Sequence, residues 1–220
     1  MKSICNFVFL VLWFISLSAS GQKKPVPIDL YTLAQNHQLQ PVGREPAAFS
    51  EPGKKGVRFS EKDNDGLAWI KGITFSNGII ELDIKGRDVP QQSFVGVAFH
   101  GADEKTMDIV YFRPFNFRTT DSVRRIHAVQ YVSAPDFGWQ RLRQEQNGKF
   151  EKAIVPAPAG NDWFHARIVV HNPQVSVYVN GNTQPSLTVE KLNARKTGNL
   201  GLWVGPSSNG DFANLTIAEE

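Results

Sequence analysis

The stretch DWFHARIVVHNPQVSVYVNG, residues 162–181, decides the fold class. Val175, Val177 and Val179 fall on one side of an extended chain and Ser176 and Tyr178 on the other, the alternation of a half-buried antiparallel strand. An apolar run precedes it across a His171-Asn172-Pro173 turn, and Asn180-Gly181 closes it with the residues a tight hairpin turn prefers. The same punctuation continues in both directions. Upstream stand VRFS from Val57, a turn at Asp63 to Gly66, LAWI, ITF, an Asn77-Gly78 turn and IIELDIK; downstream stand LGLWVG and DFANLTI. No long helical period interrupts them after Val57, and turn signals recur every 8 to 15 residues or so. The prediction is an all-β protein, a two-sheet antiparallel jelly-roll sandwich over residues 57–220, with helix limited to a turn or two near Tyr31 to Gln38.

The first residues predict an address. Lys2 is followed by an apolar run from Ile4 to Leu17 and by small residues at Ser18-Ala19-Ser20, the pattern of a secretory signal peptide over residues 1–20. The run is shorter than the roughly 20 apolar residues of a membrane helix, so no membrane span is expected once the signal is removed. Cys5, the single cysteine, falls inside that segment, leaving no disulfide and no thiolate metal site. Residues 21–56, with Pro25, Pro27, Pro41, Pro46 and Pro52, read as a strap leading into the fold. Across 220 residues, 24 Lys and Arg stand against 21 Asp and Glu, a formal net charge of +3, too small to argue for nucleic acid. The expected location is secreted or periplasmic. Oligomeric state has no signature in the sequence.

Chemistry concentrates between Phe94 and Arg143. Extended alternation places His100 on the face of Phe94, Gly96 and Ala98, and sets Tyr111 and Arg113 together on one face of the next strand. The window from Arg113 to Arg143 holds Arg113, Arg118, Arg124, Arg125, Arg141 and Arg143, no lysine, and only Asp121 and Asp136 as acids. The planar fork of arginine grips a carboxylate or sulfate through two parallel hydrogen bonds, which an ammonium cannot do. Arg113 and Arg118 are favoured for such a site because Tyr111, Asn116 and Phe117 surround them, whereas Arg124 and Arg125 are read as distant steering charges. Trp139 follows the Pro135 to Gly138 loop, opens the stretch WQRLRQ, which reads as a polar strand, and is a candidate for stacking on a sugar ring, while Trp69, Trp163 and Trp203 fall in apolar strand contexts and read as core.

The order FSNGIIELDIKG, FVGVAFHG, YFRPFNF, DWFHARIVVHNPQVSVYVNG, GLWVG and GDFANLTI resembles the concanavalin A-like lectin/glucanase superfamily. Within it the chain looks like the secreted bacterial domains grouped with the 3-keto-disaccharide hydrolase family. The resemblance covers nearly all of residues 57–218, and it implies a curved jelly roll whose concave sheet meets carbohydrate. Lectins, binding modules and glycosidases all share that superfamily, so it leaves catalysis open.

Glu81-Leu82-Asp83-Ile84-Lys85 resembles the Glu-x-Asp-x-Glu signature of family 16 glycoside hydrolases, but Lys85 stands where the acid/base glutamate is needed. Asp63-Asn64-Asp65-Gly66 lacks the further ligands of a calcium loop and reads as a turn. His100, His127, His165 and His171 have no zinc-site spacing, and neither metal nor cofactor is expected. Asn214-Leu215-Thr216 matches a glycosylation sequon within a strand and reads as structure. The sequence thus predicts carbohydrate recognition by Tyr111, Arg113, Asn116, Arg118, Gln130, Tyr131 and Trp139. A sugar-cleaving enzyme with His100, Asp108 or Glu81 as acid or base is the alternative, and a structural partner domain of an envelope assembly is the third.

Overall fold

The computed structural model describes residues 24–220; the expected signal peptide and Cys5 lie outside the described residues. Two antiparallel sheets face each other. The main path of the eight-stranded sheet runs β13 (Leu187–Glu190), β12 (Gln174–Val179), β11 (Phe164–His171), β6 (Gly78–Lys85), β15 (Gly210–Glu219), β4 (Lys54–Phe59) and β3 (Pro46–Glu51), and β1 (Val26–Ile28) pairs with β15. The seven-stranded sheet runs β10 (Glu151–Lys152), β9 (Val129–Ala134), β8 (Met107–Phe112), β7 (Val95–Gly101), β14 (Gly198–Val204), β5 (Gly66–Phe75) and β2 (Leu39–Val42). This is the jelly-roll sandwich that the alternation of residues 162–181 predicts.

The core lies between the sheets because each strand turns its apolar parity inward. Ile80, Leu82 and Ile84 of β6, Ala166, Ile168 and Val170 of β11, and Val175 and Val177 of β12 are fully buried. They meet Val95, Val97, Val110, Phe112 and Val129 of the other sheet, and Phe112 packs edge-on against Phe164 at 4.9 Å between centroids. Each such side chain removed from water stabilises the fold by roughly 1.5–3 kcal/mol before entropy is counted.

The stretch expected as a strap is woven into both sheets: β1 and β3 join the eight-stranded sheet and β2 the seven-stranded one. Three of its prolines sit on edge strands, where a missing N–H breaks no ladder, Pro27 within β1, Pro41 within β2 and Pro46 opening β3. Helix α1 (Leu30–Gln35) falls in the expected place, capped by Asp29, whose carboxylate accepts from the Thr32 amide.

Two further α-helices, and a 3-10 turn at Pro114–Asn116, were not expected. Helix α2 (Ser122–Arg125) is capped by Asp121, and α3 (Trp139–Glu145) occupies the stretch WQRLRQ that the sequence reads as a polar strand. Gln, Arg and Leu are all good helix formers, and Leu142 alone turns inward, so nothing there demands a two-residue period. Both helices stand over the outer face of the seven-stranded sheet.

Candidate functional site: an aromatic groove on the seven-stranded sheet

One row of residues crosses the outer face of that sheet. Glu151 on β10 lies opposite Gln130 on β9, Gln130 opposite Tyr111 on β8, Tyr111 opposite Gly96 on β7, and Gly96 opposite Trp203 on β14. Directly opposed side chains are about 4.5–5.5 Å apart at Cβ, so the register alone makes these groups neighbours. Gly96 is required in the middle. A methyl group there would lie 2.2 Å from the Val110 carbonyl oxygen and 2.7 Å from Tyr111 Cβ. Without one, the Tyr111 and Trp203 rings close to 5.2 Å between centroids.

Above this row opens a groove of about 720 Å³. Its aromatic lining is Phe94, Tyr111, Phe115, Trp139 and Trp203, and its polar lining includes Asp65, Arg113, Asn116, Arg124, His127 and Arg143. Helix α2 contributes Arg124, and α3 contributes Trp139 and Arg143. Trp139 is 44 % exposed, and the Arg143 guanidinium stacks over its ring at 5.0 Å.

The floor is a buried polar network. Arg113 donates from Nη1 to the His127 carbonyl at 2.9 Å, and from Nη2 to the Tyr111 hydroxyl at 2.7 Å and Gln130 Oε1 at 2.5 Å. Tyr111 in turn donates to Gln130 Oε1 at 2.7 Å. Burial is the main cause that pushes the Tyr111 phenol up to about 12, so it stays neutral. Glu151, buried, accepts both arms of the Arg143 fork and lies 2.8 Å from Nδ1 of His127. Burial lowers the His127 imidazole from its ordinary value, and the Glu151 charge only partly opposes this. Asn116 Nδ2 donates to the His127 carbonyl at 3.3 Å, but its Oδ1 is buried without a hydrogen-bond partner, as are Gln130 Nε2 and His127 Nδ1, whose contact with Glu151 is not aligned for a hydrogen bond.

The sequence-predicted ligand residues divide accordingly. Tyr111, Arg113, Asn116 and Trp139 line the groove, and Gln130 lies beneath it. Arg118 points elsewhere, donating to the Ala157 carbonyl at 3.1 Å. Tyr131 has the parity of the inner face, where its hydroxyl donates to Asp108 at 2.7 Å. Trp203, read as core, is partly exposed as a groove wall, and Trp163 is partly exposed on a stack with Phe49. Of the six arginines, Arg113 and Arg143 are engaged by the floor, Arg141 by Glu145, and Arg125 by the Thr119 carbonyl. Arg124, expected to be remote, lies at the groove 5.9 Å over the Phe115 ring. Glu151 had no signal, because its partners are brought to it only by strand pairing.

The candidate acid/base residues lie outside the groove. His100 takes a positive φ of 49° beside a register shift between Asn199 and Gly201, which turns its ring into the interior against Phe75 and Phe99 rather than onto the face of Gly96. Its Nε2 meets the Ser76 carbonyl and so donates, while Nδ1 accepts from Lys191 Nζ at 2.6 Å. Asp108 is fully buried between the sheets with Lys191 at 3.2 Å, Arg195 at 3.3 Å and Asn193 at 2.5 Å. Glu81 stands on the outer face of the other sheet, 3.3 Å from Arg167, and Asp83 beside it holds His165 at 2.9 Å, Asn214 at 2.6 Å and Lys54. No cluster of His, Cys, Asp or Glu among the described residues has the arrangement of a metal site.

Comparison with solved structures shows the concanavalin A-like jelly roll that the order of motifs implied. The carbohydrate binding module CBM66 from Bacillus subtilis is similar at TM-score 0.57 and 14 % identity, over 81 % of this chain and 93 % of that one. A protein of unknown function with a galectin-like fold from Bacillus subtilis gives TM-score 0.60 at 11 % identity, covering 91 % and 100 %. The VIP36 exoplasmic/lumenal domain, in its Ca2+/Man3GlcNAc-bound form, gives 0.54 at 10 %, covering 84 % of each chain. At these identities the likeness is one of fold. No protein-family model and no curated protein matches the sequence.

Proposed function

We propose that this is a secreted or periplasmic domain that recognises carbohydrate in the groove over the seven-stranded sheet, and that the glycan carries negative charge. The observation behind it is the lining itself: five rings and a set of amide, imidazole and guanidinium groups converge on one cavity large enough for a short saccharide. Sugars present apolar C–H faces, which rings cover, and hydroxyls, which need polar partners such as the imidazole and guanidinium groups of the lining. The carbohydrate-binding names among the similar folds support this reading, and the residues at 1–20 support export. Arg124 supports the acidic ligand, because its guanidinium makes no hydrogen bond or ion pair among the described residues and faces the groove.

A hydrolase that uses His100, Asp108 or Glu81 draws no support from their positions, two sealed between the sheets and one on the far face. Calorimetric titration of purified protein with uronate, sulfated and neutral glycans tests the proposal. Binding of an acidic glycan, lost in Trp203→Ala, is the expected result. Absence of binding to every glycan, or binding indifferent to Trp203, would overturn it.

A further inference from the structure

The groove holds more than binding requires. His127 lies with Nδ1 2.8 Å from a buried carboxylate that is itself gripped by Arg143, and its Nε2 has no protein partner among the described residues. An imidazole with a carboxylate within ion-pair range of one nitrogen, though not aligned for a hydrogen bond, and with the other nitrogen at a ligand cavity is placed to accept a proton. Burial keeps that ring in its basic, neutral form near neutral pH. The only uncommitted cation among the groove-lining residues is Arg124, placed to neutralise an anionic substituent on whatever ring stacks on Trp203 and Tyr111.

We infer that the groove cleaves uronate-containing glycans by β-elimination, with His127 as the acid–base residue. The inference rests on the acidic-glycan reading above. Arg124 pairs with the uronate carboxylate, which withdraws charge and makes the proton on the adjacent ring carbon easier to remove. His127 Nε2 takes that proton, and the C–H electron pair becomes a carbon–carbon double bond. The bond from the next ring carbon to the glycosidic oxygen breaks, and the imidazolium returns its proton to that oxygen. An unsaturated uronate and a free hydroxyl result, and no water, oxidant or reductant is consumed. Tyr111, Gln130 and Arg113 hold the floor as positioning residues.

The test uses polygalacturonate and polymannuronate, with a neutral galactan as control, following the ultraviolet absorbance of the unsaturated product while binding is measured separately by calorimetry. The expected result is a rise in absorbance with one uronate polymer and none with the galactan. His127→Gln should reduce the rate on the order of 10²–10⁴-fold while affinity changes little. Glu151→Gln should move the acidic limb of the rate profile to lower pH, because the imidazole loses the charge that favours its protonated form. Uronate binding without absorbance, products that have gained water, or a fully active His127→Gln would each overturn the elimination and leave the binding proposal standing. Failure to bind any glycan would overturn both. Since His127→Gln could unfold the floor, Arg124→Ala on the exposed rim provides a second variant, expected to slow product formation without loss of the folded near-ultraviolet signal; an unchanged rate would remove Arg124 from the mechanism.

Discussion

Arg143 grips Glu151 through two parallel hydrogen bonds, Nε to Oε1 at 3.0 Å and Nη2 to Oε2 at 2.9 Å. One partner is buried and the other one-third exposed, so the pair ties helix α3 to the edge of the sheet and brings Trp139 over the groove. Arg143→Lys keeps the charge but loses the fork. It should destabilise the protein by about 1–3 kcal/mol in urea unfolding. A loss near zero would mean that His127 and Arg113, whose Nη1 lies 3.5 Å from Glu151 Oε2, compensate the Glu151 charge by themselves.

Gly96 separates the Tyr111 and Trp203 rings. Because a Cβ at that position meets backbone, not a movable side-chain tip, Gly96→Ala should cost about 1–3 kcal/mol. It should also alter the near-ultraviolet circular dichroism of the two rings. Unchanged stability and spectrum would show that β7 and β8 part easily.

The fold was legible because period-two patterning and turn residues are local signals, as residues 162–181 show. Groove membership was legible where parity sufficed, for Tyr111 and Arg113, as was the place of Gln130 beneath it. It failed where the chain departs from regular extension. His100 follows the alternation of Gly96 and Ala98 in sequence, yet its positive φ turns it inward. Arg124 sits on a helical turn that alternation cannot describe. Tyr131 was assigned to a ligand, although it is one residue, and therefore one face, away from Gln130. Glu151 is 24 positions from His127, and only the pairing of β10 with β9 joins them.

Asp108 lies within a charged cluster sealed between the sheets. Burial alone would raise its carboxyl, but Lys191, Tyr131 and Arg195 outweigh burial and hold it below the usual range. A depressed carboxylate stabilises the fold above its unfolded value of about 3.9, and that contribution is lost as pH falls through the folded value. Asp108→Asn leaves Lys191 buried without its counter-charge and should cost about 3–5 kcal/mol at pH 7. The difference from wild type should shrink on acidification below about pH 4. A constant difference down to pH 2 or so would refute this account of the cluster.

His165 and Asp83 give a second pH dependence on the opposite sheet. The hydrogen bond with Asp83 raises His165, while Asp83, despite burial, is lowered by His165, Lys54 and Asn214. The His165 share is fully present below about pH 6.5 and fades as pH rises through its higher folded value; the Asp83 share is present above about 3.9 and fades on acidification. Their joint contribution is greatest between those limits. With His165 side chain 41 % exposed, its share should be under about 1 kcal/mol. His165→Asn should remove the loss of stability between pH 6 and 8 or thereabouts, and a mutant that keeps that slope would place its origin elsewhere.

The arginine window contains two kinds of guanidinium, and a charge-preserving comparison separates them. The Arg124 guanidinium faces the groove from α2 with no hydrogen bond or ion pair among the described residues, whereas Arg118 is exposed outside it and bound to the Ala157 carbonyl. If a uronate docks against Phe115, Arg124 makes the charge-assisted pair, and Arg124→Ala should weaken binding by about 1.5–3 kcal/mol. Arg124→Lys should recover only part of that loss, since the ammonium is a point charge without the fork. Arg118 contributes only to the surrounding field, so Arg118→Ala should slow association slightly at low salt and leave affinity unchanged at moderate salt, where screening acts within about 8–10 Å. Calorimetry of both variants with polygalacturonate, at two salt concentrations, distinguishes the roles: equal losses at Arg118 and Arg124, or no loss at Arg124, would detach the acidic ligand from this rim and return the recognition to the rings and amides of the floor.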